Sequence, residues 1–317
     1  MIVEHITNSN PMIMTGVSTT STHTMYSDEE AATSIDFTSC SPSFKNPTVY
    51  SNKVFADTSE KTNEIKTDST SFLFSKRLSI GSVVVSMELY KEGVKIADLV
   101  DDTYGTYYAA GFSLVYPLYY GYVINWGEVL DLHGAGCYTI RNNWTLGANP
   151  TKVTESECYY LLPYSPCNAE GTVKIKWIQN GNIESNSIKY AGLSWTNWLR
   201  VKGIFWNNSA SEEIDEVEKT DRSFENVNVQ SIDEFNLDLK SSPYWLTKLM
   251  DKNICLASEI YITDYNSDNH RDDLINFAVR FSGYGDRDEQ RGNKYARYSY
   301  NFKRRIDNDL KREYPKP

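Results

Sequence analysis

The chain has 317 residues, enough for two ordinary domains or one large β domain with extensions, so a core can form without disulfide or metal staples. Lys and Arg number 32 against 42 Asp and Glu, a formal charge of -10, which excludes a surface built throughout to grip nucleic-acid phosphates but allows a like-charged wall along which DNA slides. The 23 tyrosines within 13% aromatics favour half-buried strands and wet protein interfaces.

Residues 1 to about 70 are rich in Ser, Thr, Asn and acidic groups, as in TGVSTTSTHTMYSDEEAATS and FADTSEKTNEIKTDSTS, with few apolar residues to bury. Such a segment is expected to be an extended arm that owes its order to neighbouring subunits. From Leu78 the pattern changes. SVVVSMELYKEGVKIADLV predicts a hairpin, with Lys91, Glu92 and Gly93 at the turn and Gly93 in the left-handed position. Residues 105–127 carry no charge over a length that would cross a bilayer, yet six tyrosines and Pro117 make them consecutive strands and not a membrane span. CYTIRNNWTL continues the strand signal, and TESECYYLLPYSPC reads as an irregular aromatic connection.

A second hairpin is expected from Thr172, where Val173, Ile175 and Trp177 alternate with Lys174 and Lys176 before the Asn180-Gly181 turn, with Ile183 to Tyr190 pairing back. NWLRVKGIFW is another strand, and the acidic residues 212–225 read as a solvated loop or short surface helix. Ser242 as N-cap and Pro243 at the first helical position open a short helix near 243–252, with Trp245, Leu246, Leu249 and Met250 on its core face. Three strands finish the chain: ICLASEIYIT; INFAVRF, with Ile275, Phe277, Val279 and Phe281 on one face; and KYARYSYNFK, with Ala296, Tyr298, Tyr300 and Phe302 on one face. The fold class is therefore mainly β: sandwich-like antiparallel β domains with one or two short helices and a long extended N-terminal arm. The expected division is an arm at 1–70, a β domain at 71–170, and a second β domain at 171–317 that contains the short helix.

Signals for chemistry are sparse. Cys40, Cys137, Cys158, Cys167 and Cys255 form no C-x-x-C pair and are odd in number, which argues against a disulfide framework or thiolate zinc and for a reducing cytoplasm, with no secretory signal at MIVEHITNSNPMIM. The four histidines, His5, His23, His133 and His270, leave little for a general base. His133 lies four residues before Cys137, a spacing better read as a glycine-bounded turn entering a strand than as a nucleophile and its base. No phosphate loop, nucleophile elbow or zinc-protease motif is present. In DYNSDNHRDD, Asp264, Asn266 and Asp268 match the first three ligand positions of a calcium loop, but Asn269 replaces the required glycine and Ile275 the bidentate Glu, so an Asx turn is expected there. No cofactor and no catalytic residue is expected. KRRIDNDLKREYPKP reads as a solvated terminal helix whose acids dilute its basic charge.

Four strings, LYKEGVKIADLVDDTYGTYY, YVINWGEVLDLHGAGCYTIR, SEIYITDYNSDNH and YARYSYNF, together resemble a structural protein of crAss-like tailed bacteriophages, of the kind that stacks as rings between portal and distal tail. The resemblance spans roughly residues 80 to 302. It implies a non-enzymatic virion protein made in the host cytoplasm: a subunit of a homo-oligomeric ring in the neck or tail, a portal-tail connector enclosing the DNA channel. Its implied partners are other tail and neck proteins, including portal-proximal rings, and passing DNA bound without sequence specificity. A receptor-binding or fibre-attachment tail module is the alternative, with a polysaccharide-degrading tail enzyme a more distant one.

Overall fold

A computed structural model of the chain describes residues 5–8, 12–15, 53–75, 82–99, 104–110, 119–146, 152–156, 158–180, 184–185, 188–189, 194–218, 224–243, 247, 250–266, 274–288 and 295–305. It is mainly β. The first half runs β1 (His5–Asn8), β2 (Met12–Thr15), β3 (Lys53–Ala56), β4 (Ser69–Ser75), β5 (Ser82–Lys91), β6 (Val94–Asp98), β7 (Gly105–Ala110) and β8 (Tyr119–Asn125). A short helix α1 (Trp126–His133) follows, then β9 (Gly136–Leu146), β10 (Lys152–Ser156), β11 (Tyr159–Pro163) and the single turn α2 (Pro166–Ala169). The second half runs β12 (Thr172–Gln179), β13 (Glu184–Ser185), β14 (Ile188–Lys189), β15 (Trp195–Lys202), β16 (Ile204–Glu218), β17 (Phe224–Pro243), β18 (Glu259–Asp264), β19 (Phe277–Asp288) and β20 (Tyr295–Arg304), with a π-helical turn at Met250–Ile254.

Two layers enclose the first core. One sheet has the order β1-β4-β8-β7; the other has β2-β10-β9-β11-β3, with β5 and β6 added on the far edge of β9. All pairs are antiparallel except β11 with β3. The turn between β5 and β6 is Glu92-Gly93 at φ 51° and 81°, the left-handed pair whose twist matches a two-residue hairpin. Trp126 fills the centre, edge-on to Tyr138 at 5.9 Å, near Tyr159 at 5.3 Å, and its indole N–H donates to Thr70 at 2.8 Å. Asn125 caps α1 by accepting from the Gly127 N–H, and Glu128 in the first turn suits the helix dipole.

The second core belongs to one seven-stranded sheet, β15-β12-β18-β19-β20-β17-β16, which curls so that β16 and β17 face β12, β15 and β18. Gly203, between β15 and β16, makes the corner: a Cβ there would lie 2.7 Å from the Asp238 carbonyl oxygen. Phe205, Phe235, Phe277 and Phe302 meet inside, with the Phe235 and Phe277 rings 4.7 Å apart. Each such burial stabilises the fold by about 1.5–3 kcal/mol. Beyond residue 234 towards 224, β17 loses β20 as a partner. From Asp233↔Ala210 to Phe224↔Glu218 it pairs with β16 alone among the described residues.

Several expectations are met. Tyr298, Tyr300 and Phe302 are all buried on one face of β20, as are Phe277 and Val279 of β19. The hairpin at 82–98 forms as read, and within the uncharged segment Gly105–Ala110 and Tyr119–Asn125 are strands, residues 111–118 lying outside the described residues. Among the described residues no helix is long and apolar enough to cross a membrane.

Others are corrected. β12 does not pair with the described residues of 183–190, where Glu184–Ser185 and Ile188–Lys189 pair with each other as the small β13–β14 ribbon; its partners are β15 and β18. The segment 195–202 supplies Asn197, Leu199 and Val201 on the buried face, a match that IESNSIKY cannot offer. Residues 159–163 are a strand and not an irregular connection. The acidic residues up to 218 are strand, held by a ladder in which Ile214 faces Val229. Ser242 and Pro243 end β17 opposite Ala296 and Tyr295, because a proline at a strand end forfeits no needed N–H; Met250 is buried in the π-turn, while Trp245, Leu246 and Leu249 lie outside the described residues. Ile275 is exposed because Asn276, at φ 48°, breaks the alternation before β19 begins. Cys137 and Cys158 are disulfide-bonded, at a Cα separation of 5.6 Å; Cys167 and Cys255 are free and Cys40 lies outside the described residues. Of the arm, residues 16–52 lie outside the described residues. Residues 53–68 are integral to the fold, with Phe55 fully buried.

Candidate functional site

Among the described residues, a dense polar arrangement is built where loop 57–68 crosses from the first core to the second. The loop is ordered by its own polar groups. Asp57 accepts from the Ser59 N–H at 2.9 Å, Glu60 pairs with Lys66, and Asn63 accepts from the Ile65 N–H at 3.0 Å. Lys61 reaches α1, meeting Glu128 at 2.8 Å and Asp131 at 2.6 Å, and its carbonyl accepts from Asn125.

At the other end, Asp68 is buried against the outer face of β12 and β15. The register of these strands sets Lys174 directly opposite Arg200, a like-charge pair that would repel. Asp68 resolves the conflict. Its two oxygens accept from the Arg200 guanidinium at 2.7 and 3.0 Å, one of them lies 3.1 Å from Lys174 Nζ, and the Phe55 N–H donates at 2.9 Å. Arg200 also donates to Thr172 Oγ1 at 2.8 Å and lies between the Phe55 and Tyr265 rings, 4.7 and 4.4 Å from their centroids. Lys174 donates to the carbonyls of Glu64 at 2.5 Å and Thr67 at 3.3 Å. The Tyr265 hydroxyl closes the arrangement on the Ile65 carbonyl at 2.7 Å.

Burial alone would raise the Asp68 carboxyl, but the charges of Arg200 and Lys174 win and hold it at about 2. Burial pushes Lys174 below its usual value against the opposing pull of Asp68, and burial pushes Tyr265 up to about 12. With each Lys174 hydrogen directed at an oxygen, that amine is fastened and not poised as a nucleophile.

Beside the triad is an open pocket of about 320 Å³ between the loop and the sheet. Lys176 stands at its side, 2.6 and 2.9 Å from the two Glu64 carboxylate oxygens and 5.6 Å from the Tyr261 ring centroid. Thr263 accepts from the Asn276 N–H at 2.8 Å.

The residues singled out from sequence fall elsewhere. Asp264 accepts from the backbone N–H of Asn266 at 3.2 Å and from its side chain, the expected Asx turn; Asn266 also donates to the Gly203 carbonyl at 3.0 Å, and Asp268 lies outside the described residues. Among the described residues no group of three or more His, Cys, Asp or Glu is placed to hold a metal ion. His133 and Cys137 do not form a nucleophile and base: His133 Nε2 is 3.1 Å from the Tyr104 hydroxyl, and Cys137 is bonded to Cys158. The triad went unread because Asp68, Lys174 and Arg200 are spread over 132 residues, and a polar loop resembles an unburied one. No family model matches this chain, and no curated protein or solved structure matches it.

Proposed function

We propose that this chain is a non-enzymatic virion structural protein, a subunit of an oligomeric ring in the neck or tail of a tailed bacteriophage, enclosing the DNA channel. One observation carries the assembly half of this reading: the ribbon of residues 210–218 and 224–233, whose backbone has no third strand among the described residues. Ten residues of strand reach about 33 Å, and a two-stranded ribbon is marginal alone in water. Such a ribbon is suited to lie against a neighbouring subunit. The phage half rests on the resemblance, whose four strings fall on β5 to β7, β8 to β9, β18 and β20, elements that build both cores. The connection of those cores by a buried ion triad suits a mechanical part that transmits load without sliding.

Imaging of a particle containing this chain tests the proposal: it is expected in several copies around the tail axis, between capsid and distal tail. A single copy at a fibre tip that binds host-surface glycans would favour the receptor-binding alternative and reject the ring. Degradation of host glycans by the purified protein, abolished by an acid-to-amide substitution, would reject the non-enzymatic reading.

A further inference from the structure

We propose that the pocket between loop 57–68 and strands β12 and β18 is a binding site for a small, singly charged oxyanion, a carboxylate or a phosphate. Charge balance sets the sign. Asp68, Glu64, Lys174, Lys176 and Arg200 are bonded into one cluster, and three of these five groups are cations. Asp68 serves Lys174 and Arg200 together, so one positive charge has no carboxylate of its own. Because Lys174 and Arg200 are buried, that surplus acts through a medium of low polarity, where it is felt more strongly than at the surface. One negative charge entering the pocket brings the cluster to neutrality.

The walls offer donors for such a group. The Lys176 ammonium has three hydrogens and directs two contacts at the Glu64 carboxylate, which leaves a third. Thr263 accepts the Asn276 N–H, an interaction that leaves its own hydroxyl hydrogen uncommitted. The Thr62 side chain borders the same space. Asn276 is held at φ 48°, a left-handed conformation unusual outside glycine, at the edge of the pocket. The single carboxylate lining the space, Glu64, is matched by Lys176, and the Tyr261 hydroxyl is turned to Glu259 at 2.6 Å. A volume of about 320 Å³ suits a small ligand. An occupant would bridge loop and sheet, so it would bind the folded chain in preference to the unfolded one.

Thermal unfolding of the full chain tests this site in sodium phosphate and, separately, sodium acetate, each against sodium chloride at equal ionic strength. A saturable rise in Tm of about 2 °C or more is expected in at least one arm, and the arm that responds identifies the head group. Asn276→Asp keeps a residue that tolerates the left-handed backbone while adding negative charge at the rim, and should weaken binding about tenfold or more. Lys176→Met, which removes the uncommitted donor, should do the same. The Tm of each variant without added anion reports whether its fold is intact. No rise above chloride in either arm, or a rise undiminished in both variants, overturns the proposal.

Discussion

Asp68 is a single carboxylate on which three segments depend: β3 through the Phe55 N–H, β12 through Lys174 and β15 through Arg200. Removing its charge leaves two cations buried and facing each other across a strand ladder, so Asp68→Asn is expected to destabilise the chain by about 3–5 kcal/mol, measured by urea unfolding. Replacing the whole triad with apolar residues of similar size, Asp68→Leu with Lys174→Met and Arg200→Met, removes the desolvation cost along with the attraction. It should recover most of that loss. If the triple variant were no more stable than the single one, the triad would be holding the strands by something other than charge. The same carboxylate fixes an acid dependence. Its folded value is about 2 against an ordinary 3.8, so the unfolded chain binds the proton first as pH falls. The contribution is complete above about pH 4 and is lost as pH drops towards 2, amounting to about 2 kcal/mol. Wild type should lose this increment between pH 4 and 2 beyond any loss shown by the triple variant.

At the scale of elements, the ribbon formed by residues 210–218 and 224–233 pairs only within itself among the described residues, whereas residues 234–238 of β17 are held by both β16 and β20. Replacing residues 210–233 with Asn-Gly should therefore leave the Tm of the isolated chain within about 3 °C of wild type, since none of the described residues of the buried second core is removed. A collapse of the fold on this excision would show that the ribbon packs on its own chain. The ribbon also shows where legibility ended. Short-range signals were readable: the turn at Glu92-Gly93, and the period-two stripe of Tyr298, Tyr300 and Phe302, each depend on neighbours within a few positions. Residues 212–218 carry five acids in seven positions, and only pairing with residues 224–231 makes that stretch a strand. β12 followed the same rule. Its Asn180-Gly181 turn signal was local, but Trp195–Lys202 offered the better buried face and displaced the nearer segment. Loop 57–68 was misread for a related reason, because polar composition argues for solvent only when the polar groups lack partners, and here Lys61 finds two carboxylates on α1.

For the whole molecule, the formal charge of -10 is unevenly distributed. Residues 209–233 carry eight acidic and two basic side chains, so this ribbon holds six of the ten net negative charges. The most basic described strand end, at Lys303, Arg304 and Arg305, is partly neutralised within the chain, with Lys303 3.7 Å from Glu234 and Arg305 3.7 Å from Glu259. A channel wall that must let DNA pass needs this balance, for each phosphate gripped by a free Lys or Arg would add a salt-sensitive retaining contact. The purified chain should therefore give no shift of duplex DNA at about 0.15 M salt, where exposed charges are screened beyond about 8 Å. Lowering the salt should not produce the steep rise in affinity that marks several phosphate contacts. Charge reversal supplies the contrast. Changing Glu212, Glu213 and Glu216 to Lys moves the ribbon from -6 to neutral, and should leave the wild-type result unchanged if the ribbon lies against a neighbouring subunit. If instead the ribbon lines the passage, the substituted chain should begin to retain DNA with a salt slope of up to about 3. Tight binding by the wild-type chain, with a slope of several phosphates, would remove the channel-wall reading altogether and leave the ring without its proposed cargo.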